Sequence, residues 1–225
     1  GSDISIGNLT SGAGTSLTSS TSISTGSIST NGGALTATAN DGSFYAGGTI
    51  DTRPGQTGTT GGAVTITAKD TYSYYGYGSV NTRGINAGNA NVSLTGESIT
   101  TNSQAIDTTG SVTLTASHSD QYANASIAAK INNAASVTAT ADNKDTSSNG
   151  GYSASINISS DTTLNANSVS ATTTSCYTYY GSCGGANITL SGNLGVNVGT
   201  VTATAPVNFN STSSSSGVSS TYADP

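Results

Sequence analysis

The sequence predicts an all-β fold, a parallel β-solenoid, and three observations carry that expectation. One phrase returns along the chain: GGAVTITA (Gly61 to Ala68) comes back as GGALTATA from Gly32, NANVSLTG from Asn89, TGSVTLTA from Thr109, AASVTATA from Ala134 and GTVTATA from Gly199. Weaker copies are ASINIS from Ala154 and ANITLSG from Ala186. Within each copy an apolar residue alternates with a hydroxyl or amide residue, the period-two signature of a half-buried strand. The steps between Leu35, Val64, Val92, Val112, Val137 and Ile156 are 29, 28, 20, 25 and 19 residues, the range in which stacked repeats live.

Each element follows from these patterns. Residues 1–30 alternate around Ile4, Ile6, Ile23 and Ile28 and read as one or two short coils. From Leu35 to Tyr152 the main strands are interleaved with second short strands, GGTIDT from Gly47, GSVNT from Gly78 and ESITT from Glu97. The only helix candidate, AKINNAA from Ala129, is too short. After each Thr-Ala comes a polar run and then an aromatic, so Phe44, Tyr45, Tyr74, Tyr75, Tyr122 and Tyr152 fall at comparable points of successive coils. The expected whole is about seven to nine coils over residues 1–205, with Tyr-rich loop insertions, and a terminal linker or cap over 206–225. One coil cannot bury its apolar face alone, so the stack is the cooperative unit. An antiparallel sandwich is the runner-up.

Composition narrows the function classes. With 7% charged residues and a formal charge of −6, nothing neutralises a run of phosphates, so no nucleic acid is expected as partner. No apolar run approaches the roughly 18 residues of a transmembrane segment. The Asp residues do not follow a Gly-rich calcium repeat, and no metal or other cofactor is expected.

The phrases ISTGSISTNGGALTATA and GGTIDT…GGAVTITA resemble the repeats of filamentous-haemagglutinin-type exoproteins, large bacterial adhesins exported by two-partner secretion. The resemblance covers roughly residues 20–205. It implies a right-handed parallel β-helix shaft, secreted or held at the bacterial cell surface, acting in adhesion, biofilm or toxin presentation. Partners would be glycans or proteins of host or neighbouring cells, with self-association also open. No functional residue is carried over by position.

Candidate sites come from the residues themselves. Cys176 and Cys183 are the only cysteines and bracket a short Gly/Tyr-rich stretch, which reads as a disulfide formed in an oxidising compartment. Two dense clusters, Tyr72, Tyr74, Tyr75 and Tyr77, and Tyr177, Tyr179 and Tyr180, are candidate ligand-binding platforms, because Tyr offers broad contact area with few rotatable bonds. Rings stacked from coil to coil are the structural alternative. Repeated Thr-x-Thr pairs, such as Thr36/Thr38 and Thr65/Thr67, resemble ice-binding ladders, although unequal coil lengths are expected to disturb a regular array and Thr is simply a good outward β-former. Six Asn-x-Ser/Thr sequons, at Asn8, Asn91, Asn124, Asn157, Asn187 and Asn210, are no more than this composition produces by chance. Catalysis has little support and the chain is not expected to be an enzyme. His118 with Asp120, and a cross-coil carboxylate pair such as Asp51 with Asp107, are the only leads toward a carbohydrate-active β-helix.

Overall fold

The computed structural model describes residues 2–70, 78–102, 104–118, 123–144, 151–174, 176–177 and 182–205. Most of these lie in strands, and nearly all the rest in turns and short connections. The only helical element among them is the 3-10 turn Pro54–Gln56.

The strands form three long parallel ladders, and the chain visits them in a fixed order. The first begins with Ile4–Ile6, Ile23–Thr25, Phe44–Ala46, Ser79–Thr82 and Ser98–Thr101 and ends with Ala125–Asn132, Ala154–Ser160 and Ala186–Gly192. The second takes Leu9–Thr10, Ile28–Ser29, Ile50–Asp51, Ile85–Gly88, Ile106–Thr108 and the far end of Ala125–Asn132, which joins it to the first. The third is eight-stranded and runs from Thr15–Ser19 through Leu35–Ala39, Val64–Ala68, Val92–Gly96, Ser111–His118, Ser136–Asn143 and Leu164–Thr173 to Val196–Thr204. This is compatible with a parallel β-helix, and parallel pairing throughout these ladders is incompatible with the antiparallel sandwich.

Alternation then builds the core, because inward residues stack on inward residues. In the first ladder Ile4, Ile23, Phe44, Val80, Ile99, Ile127, Ile156 and Ile188 form one column. In the second, Leu9, Ile28, Ile50, Ile85, Ile106 and Ile131 do the same. Leu35, Val64, Val92, Val112 and Val137 head the third. Apart from Phe44, each column places β-branched or Leu side chains about 4.8 Å apart, the strand spacing, which is how small side chains close a core without voids.

Two expectations are corrected here. Ile156 does not continue the Val137 column: Ala166 pairs with Val137, while Ile156 pairs with Ile127 in the first ladder. ANITLSG likewise belongs to the first ladder, on Ala154–Ser160. Alternation announces a strand but does not say which ladder receives it.

The glycines of GGA have a specific reason. They lie at the passage from the second ladder to the third, where successive backbones touch: a Cβ on Gly62 would stand 2.1 Å from Gly33 O, and one on Gly33 would stand 2.2 Å from Gly14 N. Gly32 also has φ +95, the left-handed region that glycine enters without strain.

Candidate functional site

Length variation is concentrated at one corner. The connections from the third ladder to the first are residues 20–22, 40–43, 69–78, 97, 119–124, 144–153 and 174–185, running from a single residue to long insertions. Those from the second to the third are short apart from 52–63. The uneven repeat step therefore comes from insertions between strands, and ladder register survives it.

The roots of this corner are held by buried polar side chains at the ends of third-ladder strands. Ser19, Glu97, His118, Asn143 and Thr173 are all at least nine-tenths buried. Each reaches toward a neighbouring pass of the chain. Ser19 Oγ donates to Ser2 O at 2.9 Å. Gly78 N–H donates to Glu97 Oε2 at 3.2 Å. Asn143 Nδ2 donates to Ala123 O at 3.0 Å and to Ser153 O at 3.4 Å, and Thr173 Oγ1 donates to Tyr152 O at 2.8 Å. Buried backbone carbonyls where strands give way to insertions need such donors. His118 Nδ1 lies 3.6 Å from Glu97 Oε1, an ion pair when the imidazole is protonated. Its near neighbour is thus the chain's one glutamate; Asp120 lies outside the described residues.

At the last of these insertions Cys176–Tyr177 pairs antiparallel with Ser182–Cys183, with Cys176 opposite Cys183. Cys183 is disulfide-bonded, and Cys176 is the only other cysteine in the chain. A directly opposed antiparallel pair brings two Cα atoms within disulfide range. Tyr72, Tyr74, Tyr75, Tyr77, Tyr179 and Tyr180 lie outside the described residues, as does Tyr122; for Tyr177 only the backbone strand is described. Phe44 and Tyr45, expected at equivalent points, diverge: Phe44 is 0% exposed and Tyr45 46%.

The outer face of the third ladder is a second ordered surface. Ser16, Thr36, Thr65, Ser93, Thr113, Thr138, Ser168 and Thr200 form one column. Thr18, Thr38, Thr67, Thr95, Thr115, Thr140, Ser170 and Thr202 form the next. One register irregularity, between Val137 and Thr138, interrupts the pairing without moving the columns. Apart from that irregularity, the unequal coil lengths leave the pairing of this face in step.

On the second ladder Ser29, Asp51, Asn86, Asp107 and Asn132 occupy one row. Arg53 clamps Asp51, Nε to Oδ1 at 3.0 Å and Nη2 to Oδ2 at 2.6 Å. Burial works to raise the Asp51 carboxyl, but the Arg53 hydrogen bonds and charge, with the Asn86 amide, hold it below the ordinary 3.8. Asp51 is therefore poorly suited to be the general acid of a glycosidase, which needs a raised pKa. Because its folded pKa is depressed, the stability it contributes is present above the ordinary carboxylate value and is lost as pH falls below that value through the folded one. Between about pH 4 and pH 2 the wild-type melting temperature, followed by circular dichroism, is expected to fall more steeply than that of Asp51→Asn. Parallel curves would show that the clamp adds nothing.

Sequon asparagines also have structural partners. Asn8, Asn91 and Asn124 accept from the backbone N–H groups of Ser27, Ser111 and Ser153 through Oδ1. These links, like the buried corner row, join residues about one pass apart and leave no local sequence signal. No helix among the described residues is long and apolar enough to cross a membrane. Compared with known proteins, the chain matches no protein-family model, no curated protein and no solved structure.

Proposed function

We propose that this chain is a shaft segment of a secreted or surface-held bacterial adhesin, a right-handed β-solenoid of about eight coils that presents Tyr-rich loops along one corner. The observation that carries the reading is the convergence of the variable connections, including those holding both Tyr clusters, on the passage from third to first ladder. A repeat that holds its ladders constant and varies one corner has the organisation of a scaffold with a recognition edge. The eight-stranded third ladder supports the coil number, and the strong right-handed preference of parallel crossovers supports the hand. The disulfide-bonded Cys183 supports an oxidising location, and the role is binding rather than catalysis.

The test is binding of the purified chain to a glycan array and to whole cells, beside a variant with Tyr74, Tyr75, Tyr179 and Tyr180 changed to Ala. The variant is expected to lose about tenfold or more in apparent affinity, the usual weight of clustered aromatic contacts. Binding retained in the variant would move the contact elsewhere, and absence of binding by either would leave the segment purely structural.

A second reading, ice binding, is favoured by the two hydroxyl columns that run through all eight strands of the third ladder. It expects thermal hysteresis that Thr95→Lys with Thr115→Lys abolishes, since two bulky charges interrupt the array at its middle. No hysteresis in the unaltered chain would end this reading.

A further inference from the structure

The connection 52–63 stands apart from the variable corner and is firmly built. Thr52 Oγ1 donates to Gly62 O at 2.7 Å, Gly55 N–H donates to Asn31 Oδ1 at 2.8 Å, and Gly61 N–H donates to Asn89 Oδ1 at 3.3 Å. Pro54 packs over Gly32. Within it Gln56 has φ +59, an uncommon conformation for a residue with a side chain. The connection overhangs the outer face of the second ladder, and with it encloses a half-open groove of about 470 Å³.

Two kinds of side chain face this groove, whose floor lies over the partly buried Leu9 and the buried Ile28. Thr10, Ser27, Ser29 and Thr49 supply hydroxyls. Asn8, Gln56, Asn86 and the Asp51–Arg53 pair supply fixed donors and acceptors. The amides are pre-oriented. Asn8 Oδ1 is occupied by Ser27 N–H, which leaves its NH₂ as the donor end. Asn86 Nδ2 is occupied by Asp51 Oδ2, which leaves its oxygen as an acceptor. Arg53 uses Nε and Nη2 on Asp51, so part of its five-donor fork remains for a ligand while its charge is already balanced.

We propose that this groove is a binding site for an uncharged oligosaccharide running along the stack. Hydroxyl-rich sugars match interleaved amide and hydroxyl groups whose positions are fixed by the stacked strands. Charge decides against an acidic sugar, because Arg53 is neutralised by Asp51 and the next acidic side chain in the row, Asp107, adds a negative field. The lining reaches from Asn8 across successive strands to Asn86, about 14 Å at the parallel-strand spacing, long enough for a short oligosaccharide. The site is on the one ladder that does not meet the variable corner, so it does not depend on the Tyr-loop reading.

The test is amide chemical-shift mapping of the whole ¹⁵N-labelled chain titrated with cellotriose, maltotriose, xylotriose and, as the charged comparison, trigalacturonate. At least one neutral trisaccharide is expected to shift Ser29, Thr49, Gln56 and Asn86 saturably. Gln56→Ala with Asn86→Ala is expected to weaken it about tenfold, the effect of two lost hydrogen bonds, with an unchanged melting curve. Gln56→Ala alone, on an exposed loop, serves if the pair unfolds. The Tyr74, Tyr75, Tyr179 and Tyr180 variant is expected to bind these trisaccharides as the wild type does. The proposal is overturned if no neutral trisaccharide moves those amides at millimolar concentration, if trigalacturonate binds more tightly, or if the folded groove variant keeps full affinity.

Discussion

Phe44→Ala is expected to destabilise the protein by about 3–5 kcal/mol, while Tyr45→Ala, one residue on, changes stability by less than about 0.5 kcal/mol. Phe44 is fully buried in the first-ladder column, with Ile23 on one side and Val80 on the other. Every other member of that column is Ile or Val, so no neighbour is large enough to collapse into the space a missing ring would leave. Removing the ring therefore costs both its transfer free energy and most of a cavity term. Tyr45 points the other way on the same strand and is 46% exposed, as period-two geometry requires. Urea unfolding of both variants measures the contrast. Equal effects would mean that this strand does not hold the register described.

Gly62→Ala is expected to cost at least about 3 kcal/mol, the upper end of overpacking effects. The added methyl would stand 2.1 Å from Gly33 O, 2.2 Å from Gly33 C and 2.5 Å from Ala34 N, all backbone atoms. No side chain can rotate away to relieve it. Two successive passes must separate at the place where the second ladder hands over to the third, and that opening spreads into both ladders. Gly7→Ala is the control, since a methyl there meets nothing within 4 Å, and its effect is expected to stay within about 0.5 kcal/mol. Differential scanning calorimetry of the two variants gives the comparison.

What was legible in the sequence is the part governed by local periodicity. The phrase around Val64 and its best copies all belong to the third ladder, and their hydroxyls form its outer columns. Assignment of strands to ladders was only partly legible: Ile156 and ANITLSG alternate as well as any third-ladder strand, yet each follows a long insertion and pairs in the first. The polar machinery was not legible at all. Asn143 reaches Ala123, Thr173 reaches Tyr152 and Glu97 reaches Gly78, each about one pass away, at a distance in sequence set by variable insertions. The groove escaped for the same reason: Asn8, Ser29, Asp51 and Asn86 share no local motif and meet only because successive passes stack.

The corner, the hydroxyl face and the groove all depend on the chain stacking in one parallel register from end to end. Distance measurement by double electron–electron resonance, with spin labels at the exposed positions Thr18 and Thr202, tests that claim most directly. These residues sit in the first and last strands of the eight-stranded ladder, so about 4.8 Å per strand places their backbones roughly 34 Å apart. A label moved from Thr202 to Thr140 should bring the separation down to about 24 Å, in proportion to the strands crossed. A narrow distribution near each value is the predicted result. Distances that do not grow with the number of strands, as in a chain folded back into an antiparallel sandwich, would contradict the account.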